Sequence, residues 1–542
     1  MLRKPDTAYV NGKVYTVDKD FGTATAFCVS DDRFIAVGTD EEIKALCTPD
    51  TKVVDLQGQV VLPGLIDSHL HIHNTGCMKL ELNVVGKSRQ EIIDDVAEAY
   101  KTVRPGQWIV GRGWINDGWE DTSFPTKEEL DAVSPDVPVY MKRGCGHAAW
   151  VNSKAFEICG ITDDTPDPVG GEYMRQADGK TLLGVVTDQA QEPFNRAIPP
   201  YQKEDFQKIA LLAQEGFFEV GLTTVHDAGT AEEWLQAWEE LYERKELKLR
   251  IYASMRVVGR PNYEELYNGS MEFFKRGLRI GKYDNRLTAR AYKISGDGSL
   301  GARSAWMLED YEDRPGHCGN GKWTDEELYD VLYQAHRAGF QIMYHGIGDA
   351  ANRQCLNTYE RLLKEMPNPD ARHRIEHAQI LSPADIPRFK QLGVIPTHQT
   401  VFLRTDKMVA DARLGDRVKG AYAWHTLIQD GNVVPNGTDS PVESYNPFLS
   451  MYCAVTRMDE HGEPDGGWHP EEAMTREEAL RSYTNWGAYA GFEEKLKGSI
   501  EVGKLADFIV IDRDIMTCPA TEIKDIQVLE TVLGGETVYR RK

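Results

Sequence analysis

The chain has 542 residues, of which 41% are hydrophobic and 27% charged, and its formal net charge is −23. This composition predicts a globular protein, and the length predicts several domains or one large barrel with additions. The negative charge argues against a nucleic-acid groove and against binding to anionic membranes, and no apolar run approaches the ~18 residues of a membrane span. The start of the chain has no apolar leader and the nine cysteines are scattered, so we expect a cytoplasmic protein with reduced thiols.

Both ends of the sequence predict short strands joined by turns. TAYVNGKVYTV lies near the start, and GSIEVGKLADFIVIDRD has the same character near the end. The glycines at 534 and 535 separate two strand-like runs and indicate a hairpin. Neither end is long enough for a good sheet of its own. We therefore expect residues 1–60 and 498–542 to combine into one small β-sandwich domain.

The middle of the chain alternates apolar runs with amphipathic helical stretches, which predicts βα units and a parallel sheet. The predicted strands are VVLPGLIDSH (60–69), GLTTVHD (221–227), LRIYASMRV (249–257), LTARAYKIS (287–295), GFQIMYH (339–345), RHRIEH (372–377), GVIPTH (393–398) and NVVPNGTD (432–439). Eight strands with intervening helices predict an α/β fold with a (β/α)8 TIM-type barrel over residues 61–497. Residues from about 74 to 205 interrupt the pattern, and we interpret them as a large insertion over the barrel mouth.

Six side chains at the predicted strand ends together predict one metal site. They are His69, His71, Lys293, His345, His377 and Asp439. His69 and His71 are two residues apart, so both point the same way on a strand. Histidine is the usual zinc ligand. The C-terminal strand ends of a parallel barrel meet at one face, so we expect these side chains to share a site.

Two members of this set allow more than one interpretation. Asp439, in NGTDSP, is either a turn residue or helix cap, or a carboxylate that touches a metal and accepts a proton from its bound water. A metal lowers the pKa of such a water to ~7. Lys293 is either an ordinary lysine whose stem covers apolar surface, or a lysine with a lowered pKa that reacts with carbon dioxide. The resulting carbamate is an oxygen ligand that can bridge two metals.

The chain resembles the amidohydrolase superfamily over nearly its full length. The resemblance lies in LPGLIDSHLHIH, in the Lys, His, His and Asp at later strand ends, and in the closing GSIEVGKLADFIVID. Within the superfamily the chain is most similar to the amidohydrolase family 3 branch, which includes N-substituted formamide deformylase-like enzymes. The segments typical of that branch are GWINDGW, GHAAWVNSKAF, GLTTVHDAG, KISGDGSLGARSA, HGIGDAANR and RIEHAQ.

The resemblance implies a centre of two zinc ions, with a single ion as the alternative. Its ligands would be His69, His71 and Asp439 for the first ion, His345 and His377 for the second, and a carboxylated Lys293 as the bridge. Asp439 would also be the general base. These assignments are expectations from the family.

The same resemblance adds candidates for catalysis and substrate binding. His147 matches the branch motif H-x-x-x-x-N-S and is expected at the pocket; we interpret it, or an arginine such as Arg303, as the group that stabilises the oxyanion. The candidates for substrate binding, each equally compatible with a structural role, are Trp114, Asn152, Asp297, Arg303, His398 and Gln399. His398 lies in PTHQTVFL, where the branch tends to have S-x-Q-P, so it is either a substrate contact or a loop residue.

The leading prediction is a metal-dependent hydrolase that cleaves a C–N bond, other than a peptide bond, in a small organic substrate. The bond would belong to an amide, an N-acyl or N-formyl group, or a cyclic amide, with Asp439 as general base. The same scaffold also supports ring opening, deamination, decarboxylation and C–C cleavage or hydration, because a fold does not fix a reaction. A non-catalytic binding relative is the third alternative. We expect no nucleic-acid or membrane partner, and a homodimer, the commonest assembly.

Overall fold

The computed structural model describes residues 4–116, 119–144, 147–259 and 261–542. The chain divides into two compact units. One is His73–Leu212, and the other combines the chain up to Ile72 with Ala213–Lys542. The predicted insertion, from about 74 to 205, falls inside the first of these units.

The larger unit contains a parallel barrel whose strands follow one another in chain order. Seven strands pair in this way: Leu65–Leu70, Leu222–Thr230, Arg250–Met255, Leu287–Ser295, Gln341–Gly346, Arg374–His377 and Ile395–Thr397. A short strand, Arg279–Gly281, pairs antiparallel with the fourth of them. This arrangement confirms the predicted α/β barrel.

The eighth predicted strand, residues 432–439, is an extended segment and not a regular strand. Pro435 has no N–H group to donate to a strand ladder, and the amide of Asn436 donates to Ser482 O at 3.1 Å. Asn436 still bridges His398 in parallel, and its carbonyl accepts from Ser68 N at 2.9 Å. The segment therefore closes the gap between the seventh strand and the first.

Helices alternate with the barrel strands, and several of them begin at a side chain that caps the first turn. In the helix Asp325–Arg337, Thr324 accepts a hydrogen bond from Glu327 N while the Glu327 carboxylate accepts from Thr324 N. The helices of this unit are Asp40–Leu46, Glu232–Glu243, Tyr263–Arg276, Lys282–Asn285, Asp325–Arg337, Asp349–Glu365, Ile386–Leu392, Leu403–Leu414, Trp424–Gln429, Pro447–Thr456, Arg476–Ser482 and Asn485–Ala490.

Residues from both ends of the chain build two further sheets in the larger unit. The first sheet runs Arg33–Gly38, Ala26–Ser30, Thr7–Val10, Lys52–Asp55. The second runs Glu536–Arg540, Val528–Leu533, Phe508–Ile511, Val60–Pro63, Lys13–Tyr15, Thr23–Ala24. Between them lies an apolar core in which the Phe508 ring is 5.0 Å from both Tyr9 and Phe27.

The second sheet contains the predicted hairpin and is joined directly to the barrel. The predicted hairpin at Gly534–Gly535 is confirmed, because the strands on either side pair antiparallel with Leu533 opposite Glu536. The strand Val60–Pro63 leads directly into the first barrel strand, Leu65–Leu70. The sheet built from the chain ends is therefore covalently continuous with the strand that carries the H-x-H motif.

The unit His73–Leu212 is organised around a six-stranded sheet. Its strands in spatial order are Gly171–Arg175, Leu182–Asp188, Ala148–Val151, Val139–Arg143, Ile109–Trp114 and Leu82–Asn83. The helices are most of Ile72–Leu80, then Arg89–Tyr100, Lys127–Asp131, Ser153–Cys159, Glu192–Ala197 and the first part of Lys203–Glu219. Of the helices in the described parts of both units, none has the length and apolar character needed to cross a membrane.

Candidate metal centre

The C-terminal ends of the barrel strands bring the predicted ligands together. The Nε2 atom of His69 lies 3.5 Å from Asp439 Oδ1 and 3.5 Å from Lys293 Nζ. His71 Nε2 lies 3.0 Å from the same Asp439 oxygen. These four residues come from the first, fourth and eighth positions of the barrel, so the tertiary fold alone makes them neighbours.

The remaining two histidines complete the cluster. The His377 ring centroid lies 4.8 Å from that of His69 and 4.4 Å from that of His345. One ligand atom from each of His69, His377 and Asp439 falls within a group whose members are at most 4.8 Å apart. The structure therefore places all six residues predicted as metal ligands in one cluster.

The backbone is strained at two of these positions. His377 has φ 74° and Asp439 has φ 54°, in the left-handed region that non-glycine residues seldom adopt. In a regular strand, Glu376 and His377 would face opposite sides. The left-handed backbone at His377 breaks that alternation, and both side chains contact His69. Strain of this kind, about 1–3 kcal/mol per residue, is typical of functional sites.

Each of three histidines has one ring nitrogen hydrogen-bonded away from the cluster. His69 Nδ1 donates to the Glu376 carboxylate, and His377 Nδ1 donates to Gln399 Oε1 at 2.7 Å. His345 Nε2 donates to the Gly298 carbonyl at 3.1 Å. Each acceptor requires a proton on the bonded nitrogen, so the other nitrogen carries the lone pair that a metal needs.

Glu376 and Arg374 are functional residues that the sequence analysis missed. Both are completely buried, and Arg374 Nε donates to Glu376 Oε1 at 2.7 Å. Burial alone would raise the pKa of the Glu376 carboxyl, but the charge of Arg374 outweighs it and holds that pKa well below its usual range. The signal was available in RHRIEH, since charged residues at alternating positions of a buried strand require partners.

The polar atoms left over at the centre fit a metal ion. Asp439 Oδ1 is buried, yet no N–H or O–H group of the described residues donates a hydrogen bond to it. An unsatisfied buried carboxylate oxygen is costly, and a cation among the imidazole nitrogens would satisfy it. Burial would raise the pKa of Asp439, but the adjacent His69 and His71 outweigh it and hold the pKa well below its usual range.

Lys293 is buried at this centre and has an altered titration. Burial lowers its pKa to about 8, although the nearby Glu376 and Asp439 carboxylates partly oppose the shift. A fraction of the amine is therefore neutral near neutral pH. A neutral amine is the nucleophilic form.

Asp297 and Arg303 each have partners within the protein, and their roles in substrate binding stay predictions. The Asp297 carboxylate accepts from the amides of Gly348 at 2.8 Å and Trp306 at 3.0 Å, which ties the loop after the fourth strand to the loop after the fifth. The Arg303 guanidinium forms an ion pair with Asp313, with Nε to Oδ1 at 3.0 Å. The predicted role of Arg303 at an oxyanion would require it to leave this ion pair.

His398 and Gln399 follow the seventh strand and differ in role. His398 is buried, and burial lowers its pKa to about 3. Its backbone closes the barrel by pairing with Asn436. Gln399 holds His377 through the bond described above. It therefore orients a predicted metal ligand, and its contact with substrate stays a prediction.

The other three predicted site residues lie in the unit His73–Leu212. Trp114 is completely buried and its indole N–H donates to Met141 O at 2.6 Å. The Asn152 side chain caps the helix Ser153–Cys159 and is bonded on both its oxygen and its nitrogen. These hydrogen bonds are structural, and the substrate contacts of both residues stay predictions. His147 is exposed, with Nδ1 2.8 Å from an Asp188 oxygen, and its catalytic role stays a prediction.

Comparison with known proteins decides the family. A sequence profile described as amidohydrolase family matches residues 52–539. The chain belongs to the amidohydrolase family. It is 30% identical to the putative amidohydrolase YtcJ of Bacillus subtilis over 98% of both chains. It is 28% identical to the N-substituted formamide deformylase of Arthrobacter pascens over 100% of this chain and 99% of that one.

A solved structure supports the same conclusion. An uncharacterized metal-dependent hydrolase from Pyrococcus furiosus shares 28% identity with this chain at a TM-score of 0.76, over 94% of this chain and 100% of that one. The predicted family and fold are thus confirmed. The coarser functional prediction is confirmed as well: the chain is a member of a metal-dependent hydrolase family.

Proposed function

We propose that this protein is a zinc-dependent hydrolase that cleaves the C–N bond of a small organic amide, such as an N-formyl amine, an N-acyl amine or a cyclic amide. The observation that carries the proposal is the Asp439 carboxylate. Its buried Oδ1 has no hydrogen-bond donor among the described residues and lies within 3.5 Å of two imidazole nitrogens. The similarity to an N-substituted formamide deformylase supports an amide as the substrate.

The residues of the centre divide the chemistry among them. When bound, zinc supplies Lewis-acid activation of the attacking water and of the scissile carbonyl. Asp439, which its low pKa keeps ionised at neutral pH, takes a proton from the attacking water and returns it to the leaving nitrogen. Glu376 and Gln399 hold His69 and His377 in the orientation that binding requires. His147 is our candidate for stabilising the oxyanion.

We further propose that two ions bind and that a carboxylated Lys293 bridges them. The support is the burial of the amine, its distance of 3.5 Å from His69 Nε2 and its pKa of about 8. Lys293→Ala should lower the zinc content per chain, and acetate should restore part of it by replacing the carbamate. Lys390→Ala, which removes a surface lysine that donates to Gly431 O, is the matched control. An unchanged zinc content in Lys293→Ala would argue against the bridge.

The experiment that tests the proposed function combines metal analysis with a substrate screen. Protein purified without chelators is analysed by plasma mass spectrometry and assayed with N-formyl amines, N-acyl amines and cyclic amides. We expect close to two zinc ions per chain and release of free amine. One ion with turnover would remove the bridging role of Lys293 and keep the reaction. No metal, and no turnover after zinc is added, would contradict the proposal and favour a binding protein.

A further inference from the structure

The larger unit contains a cavity beside the metal centre. Its volume is about 670 Å³, and Lys293 of the centre is one of its lining residues. A cavity of this size holds a small organic molecule. Since the proposed reaction takes place at Lys293 and its neighbours, the other residues that line the cavity bear on which substrate the protein accepts.

Arg256 lines the same cavity and lies next to Lys293 in the barrel. The third and fourth barrel strands pair in parallel, with Met255 opposite Tyr292. The following residues, Arg256 and Lys293, are therefore neighbours on adjacent chain segments, which lie about 4.8 Å apart in a sheet. The Arg256 amide also donates to Thr230 O at 3.0 Å, which fixes the backbone from the other side.

The Arg256 guanidinium has no hydrogen-bond partner within the described part of the chain, and the Asp227 and Asp439 carboxylates act on it only at longer range. Arg256 is half-buried, and no described residue forms a hydrogen bond or an ion pair with its side chain. Among the described lining residues, Glu327 is the one carboxylate, and it accepts from Thr324 N at 2.8 Å and Thr324 Oγ1 at 2.9 Å. A partly buried guanidinium gains from a carboxylate that accepts its hydrogen bonds. A ligand in the cavity can supply that acceptor.

The cavity also has apolar walls that are fixed in place. The Trp323 indole N–H donates to Ser295 O at 2.8 Å, and the Tyr263 hydroxyl donates to Asp330 Oδ2 at 2.8 Å. Both aromatic residues line the cavity, together with Val257 and Leu266. Because the polar edges of the two rings are already bonded, the rings offer apolar surface to a ligand.

We propose that the substrate is an amide that carries a carboxylate near its scissile bond and an apolar substituent. Arg256 binds the carboxylate, and the apolar substituent lies against Trp323 and Tyr263. This inference rests on the proposed function. Water adds to the carbonyl carbon, the C–N bond breaks and the nitrogen takes up a proton. The products are a carboxylic acid, formed from the acyl group, and an amine that keeps the carboxylate already present in the substrate. A guanidinium binds a carboxylate through two parallel hydrogen bonds, which favours arginine for this task.

A pair of substrates that differ only in the carboxylate tests the inference. The zinc-loaded protein is assayed with N-formylphenylalanine, as both enantiomers, and with N-formyl-2-phenylethylamine. We expect one enantiomer to exceed the neutral amide by about 10- to 100-fold in kcat/KM, as a charge-assisted hydrogen bond provides. Arg256→Gln should lower kcat/KM for the carboxylate-bearing substrate, chiefly through KM, by more than it lowers kcat/KM for the neutral amide, so that the advantage is lost.

Two further variants control for folding and for charge. Arg256→Lys keeps the charge but not the paired hydrogen bonds, so it should retain part of the preference. Arg361→Gln removes an exposed arginine that pairs with Glu326 and should leave the preference unchanged. If Arg256→Gln does not fold, the inference is tested by two results: whether the wild type prefers the carboxylate-bearing substrate, and whether Arg256→Lys retains part of that preference.

Other outcomes overturn the inference in distinguishable ways. A wild type that prefers the neutral amide would remove the carboxylate from the substrate. Equal losses of kcat/KM on both substrates in Arg256→Gln, at unchanged zinc content, would mean that the arginine stabilises the oxyanion. Equal losses together with a reduced zinc content would mean that it pairs with a carboxylated Lys293. If zinc-loaded wild type hydrolyses neither substrate nor any amide of the wider screen, the proposed function itself fails.

Discussion

Arg250 and Arg256 lie at opposite ends of one barrel strand and have opposite surroundings. Arg250 is buried at the start of the strand, where Nε donates to Asp507 Oδ2 at 2.7 Å and Nη2 to Asp507 Oδ1 at 2.9 Å. Arg256, just beyond the end, has no such partner among the described residues and lines a cavity with Lys293. A buried charge whose partner is within the chain is part of the structure, whereas one without a partner marks a place for a ligand.

The same contrast separates the two ends of the barrel. At the start of the strands, Asp507 is bonded by Arg250 and also accepts from Gly534 N at 2.7 Å. At the C-terminal ends, Asp439 is buried as Asp507 is, yet one of its carboxylate oxygens has no hydrogen-bond donor within the described structure. Left-handed backbone occurs at His377 and Asp439 at that end. The barrel thus keeps its stabilising charges at one end and its reactive ones at the other.

The comparison is tested most strongly at Asp439. Asp439→Asn removes the base and should lower kcat by about 10²- to 10⁴-fold while the chain stays folded. Steady-state kinetics, circular dichroism and zinc analysis on the same sample measure the change. Asp507→Asn is the matched control, because it alters a buried aspartate at the other barrel end and should reduce thermal stability with little change in kcat. Normal turnover by Asp439→Asn would exclude it as the base.

The buried pair at the start of the strand should affect stability and leave the chemistry alone. Arg250→Met leaves Asp507 buried without its partner and should cost about 3–5 kcal/mol of unfolding free energy. Urea unfolding measures that loss, and kcat per folded molecule should stay near the wild-type value. Replacing both residues, as Arg250→Met with Asp507→Leu, should recover most of the stability. A single variant as stable as the wild type would show that this pair is not a structural element.

A smaller effect is expected from the residue that orients His377. Gln399→Leu removes the acceptor for His377 Nδ1–H and should weaken zinc binding by about 10- to 100-fold. Competition with a chelator of known affinity measures the change. Gln399→Glu retains an acceptor, so its zinc binding should weaken by no more than about 10-fold. Equal affinity in all three proteins would show that Gln399 does not position the ligand.

Much of the centre could be predicted because chemistry and position coincide in the sequence. Each of His69, His345 and His377 follows or ends an apolar run, and the ends of parallel strands meet at one face of a barrel. The eighth strand was wrong in detail because Pro435 interrupts the ladder in a segment that still lies in the right place. The pattern of strands therefore predicted where these segments lie, although it did not predict the hydrogen bonding of the last one.

The sequence by itself determined the barrel, the hairpin at Gly534–Gly535 in the sheet built from the chain ends, and the residue types that converge on the metal centre, since these depend on local patterns and on the geometry of parallel strands. Only the tertiary structure decided which polar atoms are already bonded. Arg303 and Asn152 are hydrogen-bonded within the protein, whereas no described residue accepts a hydrogen bond from the Arg256 side chain. Hydrogen bonds are short-range contacts, and their partners here are 307 residues apart for His69 and Glu376 and 257 for Arg250 and Asp507. Such pairs become neighbours only when the chain has folded.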